Sequence, residues 1–449
     1  MSRKKILGYG TLLVLLGALA FGLNYGLSYA YIGSSYAAKT VCSCVFVSGR
    51  DLKTVQAQDL HAVPFATTEV EKATQTVSAN IYGLANVKAI FRKGLGCTLV
   101  NETTEDELRK QPGVPQANPV PESLTIPLSL PAEINQQALQ RAVEAAFAEK
   151  DAAHPVRTRA VAVLYKGQLI AEKYAPGISA KTPLLGWSMT KSVTNALVGM
   201  LVKDGKLDVH KPAPIDEWKN DDRQQITLDH LLRMSSGLAF EENYAQPGDA
   251  TYMLFRASGA GAYAIQSKPS SAPGEVWSYS SGTTNILQEI IRRQFASLAE
   301  YRAFPHQRLF QKIGMNSAVL EPDASGTYVG SSFMYATARD WAKFGQLYLQ
   351  DGVWQGERLL PEGWVKYSST ETPHSGGLYA AQFWIDHADK TFPQDAFMAL
   401  GFEGQSVTII PSKQLVIVRL GCTPDERSFN RSAFVKSVLA SVKNTTVNL

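Results

Sequence analysis

The chain opens with a long apolar segment that differs from everything after it. No charged residue occurs between Lys5 and Lys39. The densest apolar part, residues 7–23, is about long enough to span a bilayer. A basic flank, Arg3 to Lys5, precedes it, and such a flank predicts that the N-terminus stays in the cytoplasm while the rest of the chain crosses.

We therefore predict that residues 1–38 form either a membrane anchor or a signal peptide. The length of the apolar run favours an uncleaved single-pass anchor in the inner membrane, with the remaining chain on the periplasmic side. The alternative is a secreted periplasmic protein, because small residues near Ala30 and Ala37 offer cleavage sites. The bulk of the chain is exported in both cases.

The next segment, residues 39–110, has a β-leaning pattern. Its β-branched and aromatic runs predict four short strands at residues 44–47, 78–82, 89–92 and 97–100. Residues 111–131 follow as a linker, since four prolines fall between positions 111 and 121.

The main domain is predicted to cover residues 132–449. Apolar residues at helical spacing predict a helix from about residue 139 to 147, and a hairpin turns at Lys166-Gly167. The middle is mostly helical, and the end predicts strands near 382–385, 406–410 and 414–420, then a helix over 432–442. This order predicts an α+β fold, an α/β sandwich in which helices flank an antiparallel sheet, with an all-helical subdomain.

Composition narrows the possible partners. The 449 residues are 45% hydrophobic, which is enough for a large core, and the net charge is +4. Basic residues form no stripe interleaved with aromatic ones, so we predict no nucleic-acid partner. The C-x-C pair Cys42 and Cys44 has no matching half with histidines, so we predict no metal site, and we predict no cofactor. Export allows disulfides, and either of these cysteines could bridge to Cys97, with Cys422 the fourth.

The candidate chemistry begins with the hexapeptide WSMTKS at residues 187–192. Ser188 and Lys191 are three residues apart at the start of a predicted helix and so share one face. A lysine beside a serine hydroxyl can take its proton and make the serine a nucleophile without a histidine. The alternative is an ordinary surface pair, because S-x-x-K often occurs by chance.

A second candidate is Tyr279, which follows the turn at Pro273-Gly274 and stands among small hydroxyl residues. Its phenol could face a cleft. A cationic lysine nearby would lower the pKa of this tyrosine and make the phenolate a general base. The alternative is a core tyrosine with a satisfied hydroxyl.

Four segments in this order resemble the beta-lactamase-related serine hydrolase family. They are WSMTKS at 187–192, HLLRMSSGL at 230–238, the turn PGEVWSYSS at 273–281 and TARDWAKFG at 337–345. The family includes class C beta-lactamases, D-alanyl-D-alanine peptidases, esterases and 6-aminohexanoate-dimer hydrolases. The resemblance extends from about Ile134 to the C-terminus and implies a beta-lactamase/transpeptidase-like fold.

The resemblance also implies roles. Ser188 matches the family's nucleophile, Lys191 the lysine that accepts its proton, and Tyr279 the tyrosine that assists as general acid or base. An oxyanion hole would combine the Ser188 amide with one from the Gly404-Gln405 region. The segment from His230 matches a structural helix.

Two departures from the family pattern bear on the substrate. Ser281 replaces the asparagine of the usual Tyr-x-Asn motif, and residues 401–405 lack the cationic residue that holds a substrate carboxylate. Acyl transfer on ester or small linear amide substrates is therefore favoured, as in the esterase and 6-aminohexanoate-dimer hydrolase branch. The alternatives are a D-alanyl-D-alanine carboxypeptidase or beta-lactamase, or a non-catalytic binding protein of the cell envelope.

Overall fold

The computed structural model describes residues 3–115 and 119–443, with side chains from Leu15 onward except that of Glu426. The α-helices are α1 (Arg3–Cys42), α2 (Leu52–Asp59), α3 (Glu105–Lys110), α4 (Gln136–Ala145), α5 (Thr190–Lys203), α6 (Leu228–Leu232), α7 (Asp249–Phe255), α8 (Ala260–Ile265), α9 (Ser281–Arg293), α10 (Leu298–Pro305), α11 (Ala338–Leu349), α12 (Trp364–Ser369) and α13 (Arg431–Leu439). The strands are β1 (Ala66–Glu71), β2 (Thr76–Ile81), β3 (Leu84–Arg92), β4 (Gly96–Leu99), β5 (Thr158–Tyr165), β6 (Gln168–Tyr174), β7 (Leu184–Leu185), β8 (Val319–Leu320), β9 (Met334–Ala336), β10 (Val353–Trp354), β11 (Glu357–Arg358), β12 (Trp384–Ile385), β13 (Phe397–Gly401), β14 (Gln405–Ile410) and β15 (Leu415–Gly421).

The centre of the main domain is a six-stranded antiparallel sheet in the order β12-β13-β14-β15-β5-β6. Every residue of β5 and β15 is buried, so both faces of the sheet are covered by helices. Side chains of a strand alternate between faces. Ala162 and Leu164 therefore join the core on the side of α11, whereas Val161 and Val163 pack with α4 and α13.

A helical subdomain, α5 to α10, leaves the sheet after β7 and returns at β8. Helix α5 is buried along most of its length and packs against α9, and Leu197 of α5 and Ile286 of α9 belong to the same hydrophobic core. The predicted α+β class, an antiparallel sheet with flanking helices and an all-helical subdomain, is confirmed.

The structure corrects two local predictions. Residues 44–47 were predicted to form a strand, which is wrong: Ser43–Val47 continues α1 as one π-helical turn. This segment is held against the rest of the protein by the disulfide of Cys42 with Cys97 and by the burial of Ser43 and Cys44. The strand β13 was missed, because its sequence of small and apolar residues has no alternating pattern.

Helix α1 joins the apolar N-terminal segment to the folded protein without a break. Its 40 residues extend for about 60 Å and pass through the predicted boundary at residue 38. Leu15 to Leu27 are exposed, whereas Ala37 and Val41 are fully buried against the sheet of β1 to β4. By length and composition this helix is able to cross a membrane.

A disulfide and a buried ion pair fix the end of α1. Cys42 bonds to Cys97 on β4, which selects one of the bridges that the sequence left open, and Cys44 and Cys422 are buried free thiols. The bridge closes a loop of 55 residues, and cross-links of this kind stabilise a fold by about 2–4 kcal/mol. One turn earlier, buried Lys39 pairs with Glu321 of the main domain.

Candidate active site

Ser188 lies in a short 3-10 turn, Trp187–Met189, immediately before α5. The residue before it, Trp187, has a φ of +47°, a left-handed conformation that is rare for a bulky side chain. Its indole nitrogen donates a hydrogen bond of 3.1 Å to the Glu403 carboxylate. Strained backbone of this kind is retained where surrounding contacts hold it, and here it presents Ser188 at the head of a buried helix.

Lys191 occupies the next turn, as the three-residue spacing predicted. Its Nζ lies 2.9 Å from the Ser188 Oγ, 2.9 Å from the Ser281 Oγ and 2.9 Å from the Ser331 carbonyl oxygen. The lysine side chain is almost completely buried. No carboxylate forms a salt bridge with it among the described residues.

Burial determines the charge of this lysine. Desolvation lowers the pKa of Lys191 to about 8, and the negative charge of Glu242 opposes the shift. A lysine with a pKa near 8 is partly neutral at physiological pH. It can therefore accept a proton from Ser188, which an ordinary surface lysine cannot do.

Tyr279 lies between Lys191 and an aromatic cluster. Its ring centroid is 5.0 Å from the Lys191 Nζ and 5.1 Å from the Trp384 ring centroid. The expectation of a lowered pKa is contradicted. Burial and the charge of Glu242 raise the pKa of Tyr279, and the interaction with Ser188 only partly offsets them. The phenol is consequently protonated at neutral pH and is a hydrogen-bond donor, not a phenolate base.

Ser281 is the first residue of α9 and connects the lysine to a carboxylate that the sequence reasoning did not find. The Ser281 hydroxyl donates to Glu242 Oε1 at 2.5 Å, and its backbone N–H donates to Glu242 Oε2 at 2.7 Å. Tyr244 donates to the same carboxylate at 2.7 Å. These contacts link Glu242, Ser281, Lys191 and Ser188 in one hydrogen-bonded series.

Glu242 and Tyr244 lie in a loop between α6 and α7, where no periodic pattern marks them. The only local signal is the run EENY soon after the glycine at 237. Tyr244 is half exposed, yet its hydroxyl points inward, and burial together with Glu242 raises its pKa well above the usual value.

The region predicted to complete the oxyanion hole lies at the turn from β13 to β14. A Cβ on Gly401 would stand 3.1 Å from the Ser188 amide nitrogen and even closer to the Gly186 carbonyl, so only glycine fits there. Gly404 instead faces the Arg419 guanidinium, and the Gln405 amide bonds to the backbone of Gly421. Within this segment, Gly401 is the residue packed against the Ser188 amide.

His230 has a structural position, as the sequence indicated. Its ring Nδ1 accepts a hydrogen bond of 3.1 Å from the Thr227 amide and caps α6. It therefore takes no part in the series around Lys191.

One cluster of metal-ligand residue types lies behind Trp187. His61, Glu403 and Cys422 each place one ligand atom within 4.8 Å of the others. Arg419 donates to the Glu403 carbonyl, and the charge of Arg159 acts on both Glu403 and Cys422. Because these cations disfavour a further positive charge, the cluster belongs to a buried ion network, and the absence of a metal stays a prediction.

Several known proteins are similar to this chain in sequence or in fold. The 6-aminohexanoate-dimer hydrolase of Paenarthrobacter ureafaciens is 24% identical over 294 residues, which cover 60% of this chain and 73% of that protein. A family VIII carboxylesterase superposes with a TM-score of 0.54 at 16% identity, covering 71% of this chain and 99% of the esterase. A penicillin-binding protein homologue from Caulobacter crescentus gives 0.54 at 16% identity over 71% of this chain and all 100% of its own.

The family model named Beta-lactamase matches residues 143–434, which include β5, β6, the helical subdomain and the sheet up to α13. The matched region contains Ser188, Lys191, Tyr279 and Glu242. The chain therefore belongs to the beta-lactamase family of hydrolases.

Proposed function

We propose that this protein is a serine hydrolase that forms an acyl-enzyme on Ser188 and acts on esters or small linear amides. The observation that carries the proposal is the buried Lys191 amine, 2.9 Å from the Ser188 hydroxyl and with a pKa of about 8. A serine nucleophile is activated by a base that is hydrogen-bonded to its hydroxyl and whose pKa lies near the working pH.

In the first half-reaction, Lys191 takes the hydroxyl proton as Ser188 Oγ attacks the carbonyl carbon. The charge that develops on the carbonyl oxygen is stabilised by the Ser188 N–H and a backbone donor at the turn after Gly401. The bond to the leaving group then breaks, and the Lys191 proton passes to the leaving oxygen or nitrogen, with the protonated Tyr279 as a neighbouring donor. In the second half-reaction the proton moves in the reverse direction: water attacks the acyl carbon, Lys191 takes the proton of the water, and Ser188 Oγ regains a proton from Lys191 as the acyl group leaves.

Ester and linear amide substrates are favoured over β-lactams or D-alanyl-D-alanine peptides. These last two carry a carboxylate, and at residues 401–405 the chain offers an acidic residue, Glu403, and no cation to hold one. Ser281, which stands where the family usually has asparagine, donates to Glu242 and contacts Lys191. It therefore interacts with the base and offers the substrate no side-chain amide. A carboxypeptidase or beta-lactamase is the second candidate.

The proposed location is the inner membrane, with α1 as an uncleaved anchor and the hydrolase domain on the periplasmic side. Cleavage after Ala37 would leave Lys39 and Cys42 at the new terminus, although Lys39 is buried in an ion pair with Glu321 of the main domain and Cys42 is buried in the disulfide to Cys97 on β4. These contacts support retention of α1.

A labelling experiment tests the nucleophile. A fluorophosphonate probe is expected to label the full-length protein, while Ser188→Ala abolishes labelling and Ser179→Ala, an exposed serine, leaves it unchanged. Equal labelling of the Ser188→Ala variant would refute the assignment. An unlabelled wild type, together with no turnover of p-nitrophenyl esters, would favour a non-catalytic binding protein. Fast turnover of nitrocefin would favour the beta-lactamase alternative.

The pH profile provides an independent test of the base. Because only neutral Lys191 accepts a proton, kcat/KM is expected to rise with pH through about 8. The charge of Glu242 raises the pKa of Lys191, so Glu242→Gln should move this rising limb to lower pH. The same limb in Lys191→Met would show that another group is titrating.

A further inference from the structure

We propose that the pocket beside Ser188 binds the hydrocarbon chain of an acyl ester or amide drawn from a bilayer, and that helix α1 forms one wall of this pocket. The inference rests on the proposed acyl-enzyme chemistry and names its substrate class. It also gives the N-terminal helix a role in substrate recognition in addition to anchoring.

The pocket is a cavity of about 200 Å³ that includes Ser188 in its lining. Apolar side chains of the main domain form much of its surface, among them Leu254, Phe255 and Phe402. An apolar cavity of comparable size is able to hold a benzene-sized hydrocarbon. An acyl chain several carbons long therefore fits beside the nucleophile, with its carbonyl at Ser188.

The opposite wall comes from α1. Tyr29, Ile32, Gly33 and Tyr36 line the cavity, and their spacing of three, four and seven residues places them on one face of the helix. They cover a rise of about 10 Å along its axis. At the inner end, the Tyr36 ring stacks on Trp187, the residue next to the nucleophile, with centroids 6.4 Å apart.

The outer end of this wall continues into the exposed apolar part of α1. Leu23 is 61% exposed and lies six residues, or about 9 Å, before Tyr29. Helix residues Tyr25, Tyr29 and Tyr31 are also exposed, as is usual for aromatic rings at a membrane interface. The pocket thus begins where the exposed apolar part of the helix ends.

The turn between β2 and β3 supports this placement. Ala30 of α1 packs with Ile81 and Ala85 on the two sides of the turn, so the turn lies level with the outer end of the pocket. At its tip, Tyr82 is 79% exposed and stacks with Phe65, and Leu84 is 55% exposed. An exposed apolar patch beside an apolar helix matches a surface that rests on lipid.

A substrate with one end in the bilayer would therefore enter at Tyr29 and extend along α1 to Ser188. The Ser188 Oγ forms a bond to the acyl carbon, the bond from that carbon to the alcohol or amine breaks, and the proton held by Lys191 goes to the leaving group. Water then releases the carboxylic acid. The acyl chain stays in the pocket through both steps.

Chain-length kinetics test the pocket. For full-length protein in detergent, kcat/KM for p-nitrophenyl esters is expected to rise by about fourfold per added methylene from acetate to hexanoate, which corresponds to burial of each group. Ile32→Trp, which fills the pocket, should lose most of this rise. Leu23→Trp, on the exposed part of the same helix, should behave as wild type.

A flat profile in wild type, or an unchanged profile in Ile32→Trp, would overturn the proposal while leaving the hydrolase assignment intact. If the hydrolase assignment itself were wrong, the result would be different, because no ester of any length would acylate Ser188. A separate experiment tests delivery from the bilayer, with the protein in phosphatidylcholine vesicles that contain a decanoyl ester. Leu84→Glu should lower its turnover about tenfold without changing that of soluble acetate, and equal turnover of the decanoyl ester would overturn bilayer delivery.

Discussion

Replacing Lys191 with methionine is expected to lower kcat for ester hydrolysis by about 10³-fold, with KM changed much less. The methionine keeps the apolar stem but removes the amine that lies 2.9 Å from the Ser188 hydroxyl. The loss falls on kcat because the proton moves only in the transition state. Steady-state kinetics on p-nitrophenyl acetate at pH 8 to 9 measure the effect.

Lys203→Met is the matched control, because Lys203 lies at the exposed end of the same helix. It should retain the activity of wild type. A fall of less than tenfold in Lys191→Met would show that Lys191 is not the base, and a loss of folded protein in both variants would point to helix α5 and not to chemistry. Circular dichroism of each variant distinguishes these results.

Replacing Glu321 with glutamine is expected to lower the free energy of unfolding by about 3–5 kcal/mol. Glu321 is fully buried and pairs with Lys39 of α1, and it also accepts hydrogen bonds from the Ser43 hydroxyl at 2.8 Å and the Cys97 amide at 2.6 Å. Glutamine leaves the lysine charge buried without a counter-charge, which is the costly outcome. Urea unfolding followed by tryptophan fluorescence measures the change.

Glu357→Gln provides the control, because it breaks the exposed pair with Lys312 and should leave stability nearly unchanged. The double variant Lys39→Met/Glu321→Leu removes both charges and should recover much of the loss. If Glu321→Gln is as stable as wild type, the ion pair does not hold α1 to the main domain. Tyr36, which lines the pocket, lies one turn before Lys39. We therefore also expect Glu321→Gln to reduce the chain-length preference more than it reduces the turnover of acetate.

Much of the fold was predictable because the decisive patterns are local. The β5–β6 hairpin follows from two short strand-like segments around the turn Lys166-Gly167, and α4 follows from apolar residues at helical spacing. The strand β13 has neither signal. It is a strand only because it pairs with β12 and β14 and packs against the turn at Ser188.

The residues of the candidate site also fall into two groups, those placed by local sequence and those placed by contacts between distant segments. Ser188 and Lys191 are three residues apart, so the 3-10 turn and the first turn of α5 that follows it bring them together. Glu242 is 39 residues from Ser281 and meets it only because the loop after α6 folds over α9. The direction of the Tyr279 pKa shift was wrong at the sequence level, since burial and the charge of Glu242 raise this pKa and neither can be read from the motif.

By itself the sequence determined the pairing of a serine with a lysine, the apolar N-terminal helix and the α+β class, because each depends on residues close together in the chain. The tertiary structure decided the charge of Lys191, the connection to Glu242 and the position of α1 along the pocket. These depend on desolvation and on contacts between distant segments, and both arise only when the chain is folded. The apolar N-terminal helix and the proposed nucleophile Ser188, separated by more than 150 residues in the sequence, thereby border the same cavity.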